Sequence, residues 1–494
     1  MFLVAASLFF SLVFLVFGLR RRKEKLPYPP GPPGDPIVGH LRRFTSTEGQ
    51  EKYLHEISRT YGDIVHLRIP GQSIVVLNSE DAAIGLLDRR GSIYSSRPKF
   101  ETLEIMGLMP YNLGFLAYGA PGFHDHRRIF QRYFSREQSL TYQPFVHDQA
   151  RILLKQLFTN PSAWEHHLLH FVLAVPLKVG FDYDLKDNDE MLGVAHAAMN
   201  ALNDLPIITA INYFPFLRYL PEWIPGTYYA RYGRKHRPGV RKVFEYPFEV
   251  LVKKLQNGLP VGPCVVGLEL ENMGLEKLHD QEVVSSLSGI GGTIIMAGTD
   301  SVWSTLTTFI ILMAMYPGVQ RKVQAELDRV LGGDRLPHFS DHESLPIAPA
   351  FPLVIPRMTM EDDVCNGYFI PKGTIVIPNA TEIGRDSRVY KDPEEFNPAR
   401  FLPKPEGNAE PPYTALFGYG RRICPGRYLA NSELFIAVAS ILSVFEINCA
   451  VGSGSVSENS KPELKFSPGL IQHPLPVACN IVPRSAVARR LIHD

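Results

Sequence analysis

The sequence predicts a mainly α-helical domain with small β-sheets, preceded by one transmembrane helix. Three observations predict this architecture. Residues 2–19 carry no charge, residues 281–315 give the longest helical signal, and β-forming residues flank a turn signal within residues 63–79. The 494 residues could hold three average domains, but large single-domain proteins exist and no internal repeat divides this chain.

Charge and cysteine usage exclude several classes of protein. The formal net charge is +1, so no overall positive field favours binding to nucleic acid. The cysteines are odd in number, widely spread and without a CxxC pair, which argues against a disulfide framework or a zinc site and fits a reducing compartment. They are Cys264, Cys365, Cys424, Cys449 and Cys479.

The N-terminal segment has the pattern of a membrane anchor. Residues 2–19 would span roughly 27 Å as a helix, against a hydrocarbon core of ~30 Å. Five basic residues lie within positions 20–25, and the positive-inside rule then leaves the rest of the chain in the cytosol. We therefore predict an anchor over 1–25, a stiff Pro-rich hinge over 26–36 and a folded domain over 37–494. A cleaved signal peptide is the alternative.

Residues 417–426 read Phe-Gly-Tyr-Gly-Arg-Arg-Ile-Cys-Pro-Gly and precede an apolar, helix-like run. A cysteine at a helix N-terminus beside cationic groups favours the thiolate, and a thiolate binds metal. Glycines allow the backbone to turn and to approach a flat partner closely. Arg422 offers a fork of donors suited to a carboxylate. The alternative is a buried structural cysteine.

The spacing Phe-x-x-Gly-x-Arg-x-Cys-x-Gly resembles the cysteine loop of the cytochromes P450, the haem-thiolate monooxygenases. The resemblance implies a haem b whose iron is bound by Cys424 as axial thiolate ligand. The cofactor-binding residues that it implies in this loop are Phe417, Gly420, Arg422, Cys424 and Gly426.

Two arginines outside the loop are implied by the same resemblance to reach the haem propionates. Arg127 fits a Trp-x-x-x-Arg pattern, although Phe123 stands in the place of the tryptophan and cannot donate an indole hydrogen bond. Arg357 lies just before a predicted β-hairpin. An ordinary solvated helix face would explain Arg127 equally well.

The helical signal of residues 281–315 contains one charge after residue 288, at Asp300. A second membrane span is one interpretation, but an aspartate at mid-span costs ~2.5–3.5 kcal/mol, so we predict a buried core helix. Its Ala297-Gly-Thr-Asp-Ser301 stretch resembles the family's distal-helix signature. The resemblance implies that the small residues make room for dioxygen and that Asp300 and Ser301 act as catalytic residues by relaying protons.

The resemblance breaks after Pro346, where the family has a helix carrying Glu-x-x-Arg. The prolines at 346, 349, 352 and 356 cannot lie in one helix, so we predict that this helix is missing. Its loss would leave Arg400 without a partner, and a stranded buried charge costs ~3–5 kcal/mol. We therefore expect poor haem incorporation.

Several β and loop signals complete the chain. Turn residues at 366–367 and 371–373 predict a β-hairpin, and residues 469–483 resemble the family's terminal hairpin. Residues 206–229 are rich in aromatics and prolines. By position they resemble the segment that covers the substrate channel and touches the membrane, although a packed connector would have the same composition.

The resemblance implies a monooxygenase that converts RH, O₂, two electrons and two protons into ROH and water. The chain has no flavin-binding fingerprint, so its electrons would come from NADPH through a separate membrane-bound flavoprotein reductase. We expect a monomeric, single-pass protein of the endoplasmic reticulum membrane, facing the cytosol. The expected substrate is a small hydrophobic molecule, by analogy a terpenoid or polyketide intermediate of fungal secondary metabolism. The alternatives are a membrane-anchored inactive relic without stable haem, or a haem-thiolate isomerase or peroxygenase, which would not need an acid–alcohol pair.

Overall fold

The computed structural model describes residues 26–45, 50–205, 209–344, 354–413, 415–449, 464–467 and 471–493. The predicted anchor over residues 1–25 and most of the predicted gap after Pro346 lie outside these ranges. The prediction of a mainly helical domain with small sheets is confirmed.

Helices dominate the described chain. The longer ones are Gln50–Tyr61, Phe123–Tyr133, Gln143–Thr159, Trp164–Phe181, Glu190–Asn203, Tyr228–Gln256, Gln281–Met315, Pro317–Leu331 and Arg427–Val444. The shorter ones are Leu41–Thr45, Glu80–Ala83, Glu101–Ile105, Arg136–Thr141, Ala210–Tyr213, Val265–Met273, Ala380–Gly384 and Ala486–His493. A π-turn covers Ile84–Asp88, and 3₁₀ turns cover Pro161–Ala163, Pro215–Tyr219, Leu275–His279, Phe339–Ser344, Pro398–Phe401, Ala415–Phe417 and Gly420–Arg422.

The helix Gln281–Met315, called here the central helix, crosses the core and packs against the helices Trp164–Phe181 and Tyr228–Gln256. Close packing depends on two consecutive glycines. A Cβ atom added to Gly291 would lie 2.0 Å from the Phe181 ring, and one added to Gly292 would lie 2.1 Å from the Phe244 ring. The missing side chains therefore let two aromatic rings lie directly against the helix backbone.

Two described helices are long and apolar enough to cross a membrane, namely Gln281–Met315 and Arg427–Val444. In their most apolar windows, 78% and 67% of the residues are buried inside the protein. A helix that is apolar all round and surrounded by protein is a core helix. The structure thus agrees with the interpretation of the central helix as buried.

Four strands form the main sheet in the order β1-β2-β6-β3: β1 (Ile64–Ile69), β2 (Gln72–Leu77), β6 (Ile375–Pro378) and β3 (Arg357–Met358). β2 and β6 run parallel, and the other neighbours run antiparallel. The hairpin predicted within residues 63–79 is β1–β2, where Ile69 pairs with Gln72. One face of this sheet, which includes Ile74, Val76 and Ile375, is buried against the helix Gln50–Tyr61. The other face, with Val75, Leu77 and Val376, packs against the segment of residues 80–88.

The other sheets are two-stranded. β4 (Asp363–Cys365) and β5 (Tyr368–Ile370) form a hairpin around the predicted Asn366-Gly367 turn, where both residues have positive φ. The predicted terminal hairpin over residues 469–483 lies partly outside the described residues, and Pro474 forms an antiparallel bridge with Phe466 there. Its second half, β8 (Cys479–Pro483), pairs antiparallel with β7 (Phe445–Cys449), which directly follows the helix Arg427–Val444.

The expectation that Arg400 has no partner is wrong. Its guanidinium lies 3.0 Å from a carboxylate oxygen of Glu410, and the side chains are 8% and 7% exposed. The same guanidinium donates hydrogen bonds to the carbonyls of Lys391, Asp392 and Glu395 at 2.8–2.9 Å. An acid ten residues further along the chain thus neutralises the charge, without a Glu-x-x-Arg helix.

Candidate functional site

The cysteine loop is closed by backbone contacts. Two 3₁₀ turns, Ala415–Phe417 and Gly420–Arg422, precede the helix Arg427–Val444, and the Cys424 N–H donates to the Phe417 carbonyl at 2.7 Å. Gly420 has φ +48°, and a Cβ added there would lie 2.6 Å from the Leu87 carbonyl oxygen. Glycine is therefore required at this turn for both its backbone conformation and its size.

Cys424 is half-buried, and its thiol is subject to opposing influences. Burial raises the pKa of Cys424 above its ordinary value, whereas the N–H groups of Gly426 and Arg427 and the positive charges of Arg127 and Arg427 lower it. Burial has the larger effect on the free thiol, and the bias toward the thiolate stays a prediction for the haem-bound protein. Binding of a metal deprotonates such a thiol, and the N–H groups and arginines then stabilise the resulting charge.

Four arginines cluster beside the cysteine loop, and we call them the arginine cluster: Arg97, Arg127, Arg357 and Arg422. Burial and the charges of Arg422 and Arg357 lower the pKa of Arg97. Burial and the charges of Arg357 and Arg127 lower the pKa of Arg422 to about 9. Burial also lowers the pKa of Arg357 to about 10. The cluster therefore concentrates positive charge in a poorly solvated place.

Backbone carbonyls hold the arginine cluster in position. Arg422 donates to the carbonyls of Ser95 (2.8 Å), Leu113 (3.3 Å) and Leu116 (2.6 Å). Its guanidinium also lies 4.1 Å from the centroid of the Phe123 ring, which is a cation–π contact.

The remaining contacts of the arginine cluster are also to carbonyls. Arg97 donates to Gly114 (2.9 Å), Ile355 (2.5 Å) and Pro356 (2.7 Å). Arg127 donates to Ile423 at 2.9 Å, and Arg357 to Leu87 at 3.1 Å and to Tyr419.

Within the described residues, no ion pair involves any member of the arginine cluster. In addition, the Nε atoms of Arg127 and Arg357 are buried and have no hydrogen-bond partner there. Buried donors without partners and buried charges without counter-charges are both costly. A bound group with two carboxylates would meet both deficits.

The central helix has an accessible strip on an otherwise buried surface. Ala297 is exposed, and Gly298 and Ser301 are half-buried, in the middle of a run of buried residues. Positions i, i+1 and i+4 lie on one side of a helix. The Ser301 hydroxyl donates to the Ala297 carbonyl at 2.8 Å. Small side chains and one hydroxyl are therefore presented to a molecule lying beside the helix.

Asp300 faces a different side of the central helix. Its carboxylate is buried, lies 2.9 Å from Nε2 of His473, and accepts hydrogen bonds from the side-chain amide of Asn203 at 3.2 and 3.4 Å. Consecutive residues are about 100° apart around a helix. The structure therefore does not join the predicted acid and alcohol by a hydrogen bond, although it places both on the same turn.

Comparison with known proteins decides the family. The family model described as Cytochrome P450 matches residues 29–477. The chain belongs to the cytochrome P450 family. A cytochrome P450 monooxygenase of Armillaria gallica is 33% identical over 502 residues, covering 97% of each chain. The tryptamine 4-monooxygenase of Psilocybe cyanescens is 33% identical over 489 residues, covering 94% of each chain.

A third relative, the cytochrome P450 monooxygenase COX1 of Coprinopsis cinerea, is 33% identical over 512 residues, covering 98% of this chain and 97% of its own. This comparison extends over more positions than the 494 residues of this P450, so the relative contains residues that this chain lacks. The relatives are named as monooxygenases, and the family is one of oxidoreductases.

The residues of this P450 fit the haem-thiolate group that the family implies. Cys424 is a thiol with converging N–H groups, the arginine cluster forms no ion pair with the part of the chain that the structure describes, and the central helix offers an accessible strip. Arg97 was not predicted as a site residue, although it stands in a Ser-Ser-Arg-Pro run whose proline restricts the backbone. Asn203 and His473 carry no sequence signal that would have indicated them.

Proposed function

We propose that this P450 binds haem b through Cys424 and oxidises a small hydrophobic molecule by monooxygenation. The observation that supports this most directly is the buried arginine cluster beside the cysteine loop. Its unpartnered Nε atoms, on Arg127 and Arg357, are complementary to a dianionic propionate edge. Phe417, Gly420 and Gly426 would shape the loop around the flat group.

Bound haem would supply the iron at which dioxygen is activated, with the thiolate donating electron density that favours O–O cleavage. The chain's own part is to bind, orient and supply protons. Ser301 would hold a proton on the accessible strip of the central helix. Asp300, one residue earlier, would replace that proton after a change of rotamer or through a water molecule. Ala297 and Gly298 leave room for dioxygen.

The reaction needs two electrons for each product molecule. We propose that they come from NADPH through a separate flavoprotein reductase in the same membrane. In this proposal the domain is monomeric, is held on the endoplasmic reticulum by residues 1–25 and faces the cytosol, and nucleic acid has no part in its function.

A surface of exposed aromatics supports membrane contact by the folded domain. Among the described residues of segment 209–229, five aromatic side chains are 36–82% exposed: Phe214, Phe216, Tyr219, Trp223 and Tyr228. Such a patch is uncommon on a surface that faces only water, and amphipathic rings favour the membrane interface. The packed-connector alternative would have buried these rings.

The substrate that we propose is a terpenoid or polyketide intermediate of fungal secondary metabolism. The support is the resemblance to fungal enzymes of this kind together with the small, mainly apolar strip on the central helix. The name of the Psilocybe relative states a different substrate, tryptamine, for that protein. Incubation with candidate compounds should give products heavier by one oxygen atom.

The axial ligand is tested by replacing Cys424 with alanine. The variant should lose the carbon-monoxide absorption band that is typical of thiolate-ligated ferrous haem. The half-buried Cys449, in β7, provides the matched control, since Cys449→Ala should keep the band. Retention of the band in folded Cys424→Ala, judged by circular dichroism, would exclude Cys424 as the ligand.

A further inference from the structure

The carboxylate of Asp300 depends on a histidine from the C-terminal part of the chain. His473 is separated from Asp300 by 173 residues, yet its Nε2 lies 2.9 Å from Oδ1. Among the described residues, this is the one ion pair of Asp300; its other hydrogen-bond donor is the neutral amide of Asn203. The proposed proton relay therefore ends at an imidazole.

His473 is held in place by short contacts of its own loop. Its N–H donates to the Ser467 hydroxyl at 3.1 Å. The preceding residue, Gln472, accepts a hydrogen bond at its carbonyl from the Ser304 hydroxyl of the central helix at 2.6 Å. The two ends of the pair differ in access to water, because the His473 side chain is 14% exposed and the Asp300 side chain 3%.

A tryptophan and a second histidine lie beside the pair formed by Asp300 and His473. The Trp303 ring lies 4.9 Å from the His473 ring and 5.3 Å from the His196 ring. Burial lowers the pKa of His196, and the charges of His473 and His166 lower it further, whereas Asp300 raises it. Of the two histidines beside the Trp303 ring, the one in direct contact with the acid is His473.

We infer that His473 passes protons from solvent to Asp300, acting as a positioning residue for the acid of the relay. His473 with its hydrogen on Nε2 takes a proton from water at Nδ1, and the imidazolium then passes the Nε2 hydrogen to Oδ1 of Asp300. The ring is left with its hydrogen on Nδ1, and tautomer exchange through water restores the hydrogen on Nε2. One proton moves inward in each cycle and no electron is transferred. This inference rests on the proposed function, and a purely structural ion pair is the alternative to it.

The decisive variant is His473→Gln, compared with Ser304→Ala. Glutamine can still donate a hydrogen bond to Asp300, but it cannot take up and release a proton in neutral water. Ser304→Ala removes the contact that anchors the same loop through Gln472, but it changes no titratable group. A difference between the two variants therefore separates proton transfer from loop anchoring.

The first readout is thermal unfolding of the haem-loaded full-length protein between pH 5.5 and 8.5, the range in which imidazoles change charge. An imidazolium–carboxylate pair stabilises the fold only while the imidazole is protonated. The advantage of the wild type over His473→Gln should therefore be largest at pH 5.5 and should shrink as the pH rises. An advantage that does not vary with pH would show that no charged pair exists.

The second readout is the share of NADPH electrons recovered as peroxide, with an alkoxycoumarin as the substrate probe. His473→Gln should raise the ratio of peroxide to dealkylated product roughly tenfold, less than loss of the positioned acid itself, and should alter the pH profile. Ser304→Ala should match the wild type. Wild-type coupling and pH profile in His473→Gln, or equal uncoupling in Ser304→Ala, would refute the inference.

Measurements on the wild type distinguish failure of the inferred role of His473 from failure of the proposed function. If the wild type lacks the carbon-monoxide band and does not turn over the probe, the proposed function itself is wrong. If the wild type has both and His473→Gln is indistinguishable from it, only the role of His473 is wrong.

Discussion

The ion pair between Arg400 and Glu410 gives a quantitative test of how this P450 is stabilised before its cysteine loop. Glu410→Gln keeps the shape of the side chain but leaves the buried guanidinium without a counter-charge. Loss of one partner of a buried pair costs ~3–5 kcal/mol. Three carbonyls still accept hydrogen bonds from Arg400, so we expect a cost of about 3 kcal/mol, near the lower end of that range.

For a domain the size of residues 29–477, the entropy of unfolding is about 1 kcal/mol/K. Glu410→Gln should therefore lower the thermal unfolding midpoint by about 3 °C. The matched control is Glu326→Gln, which removes the partner of Arg329 in an exposed pair whose side chains are 40% and 70% exposed. Exposed pairs contribute ~0–1 kcal/mol, so the control should shift the midpoint by less than about 1 °C.

The stabilisation by Glu410 should also depend on pH, in a direction that follows from the pKa of its carboxyl group. Burial alone would raise the pKa of Glu410, but hydrogen bonds from Asn408, the Lys391 N–H and Arg400 bring it below its ordinary value of 4.5. A carboxylate with a lowered pKa stabilises the fold above its unfolded-state value and loses this effect as the pH falls. The difference in unfolding midpoint between wild type and Glu410→Gln should thus be constant near neutral pH, and it should disappear as the pH falls below 4.5. Equal decreases in the unfolding midpoint of Glu410→Gln and of the control Glu326→Gln would refute the reasoning.

Four further outcomes are expected. Arg127→Met should weaken haem retention by roughly tenfold, because one charged hydrogen bond contributes about 1.5 kcal/mol. Replacement of the exposed neighbour, Arg128→Met, should leave haem retention unchanged. Equal haem retention by the two variants in spectral titrations would remove Arg127 from the site. Ser301→Ala should divert NADPH electrons to peroxide and Ser301→Thr should not, and unchanged coupling in the alanine variant would exclude a relay role. Deletion of residues 1–25 should release the protein from sedimenting membranes or leave it loosely bound through residues 209–229, while a shorter secreted form of the intact chain would identify a signal peptide. Insertion of a Glu-x-x-Arg helix of roughly 15 residues after Pro346 should raise haem occupancy, and full occupancy without it would show that the helix is dispensable.

The sequence by itself determined the features that depend on neighbouring residues. The cysteine loop, the hairpins β1–β2 and β4–β5 and the central helix follow from glycine positions, turn signals and apolar runs, because such local patterns restrict the backbone directly. Cys424 could be proposed as a ligand on the same basis, since the loop and the start of the next helix are contiguous in the chain.

Only the tertiary structure decided which distant groups meet. Arg97 joins Arg422 from 325 positions away, and His473 reaches Asp300 across 173, so no local spacing indicates either contact. The partner of Arg400 could not be predicted from the family's missing helix, because the chain folds Glu410 back onto the guanidinium. Burial raises the pKa of the Cys424 thiol, and that burial is likewise a property of the tertiary structure.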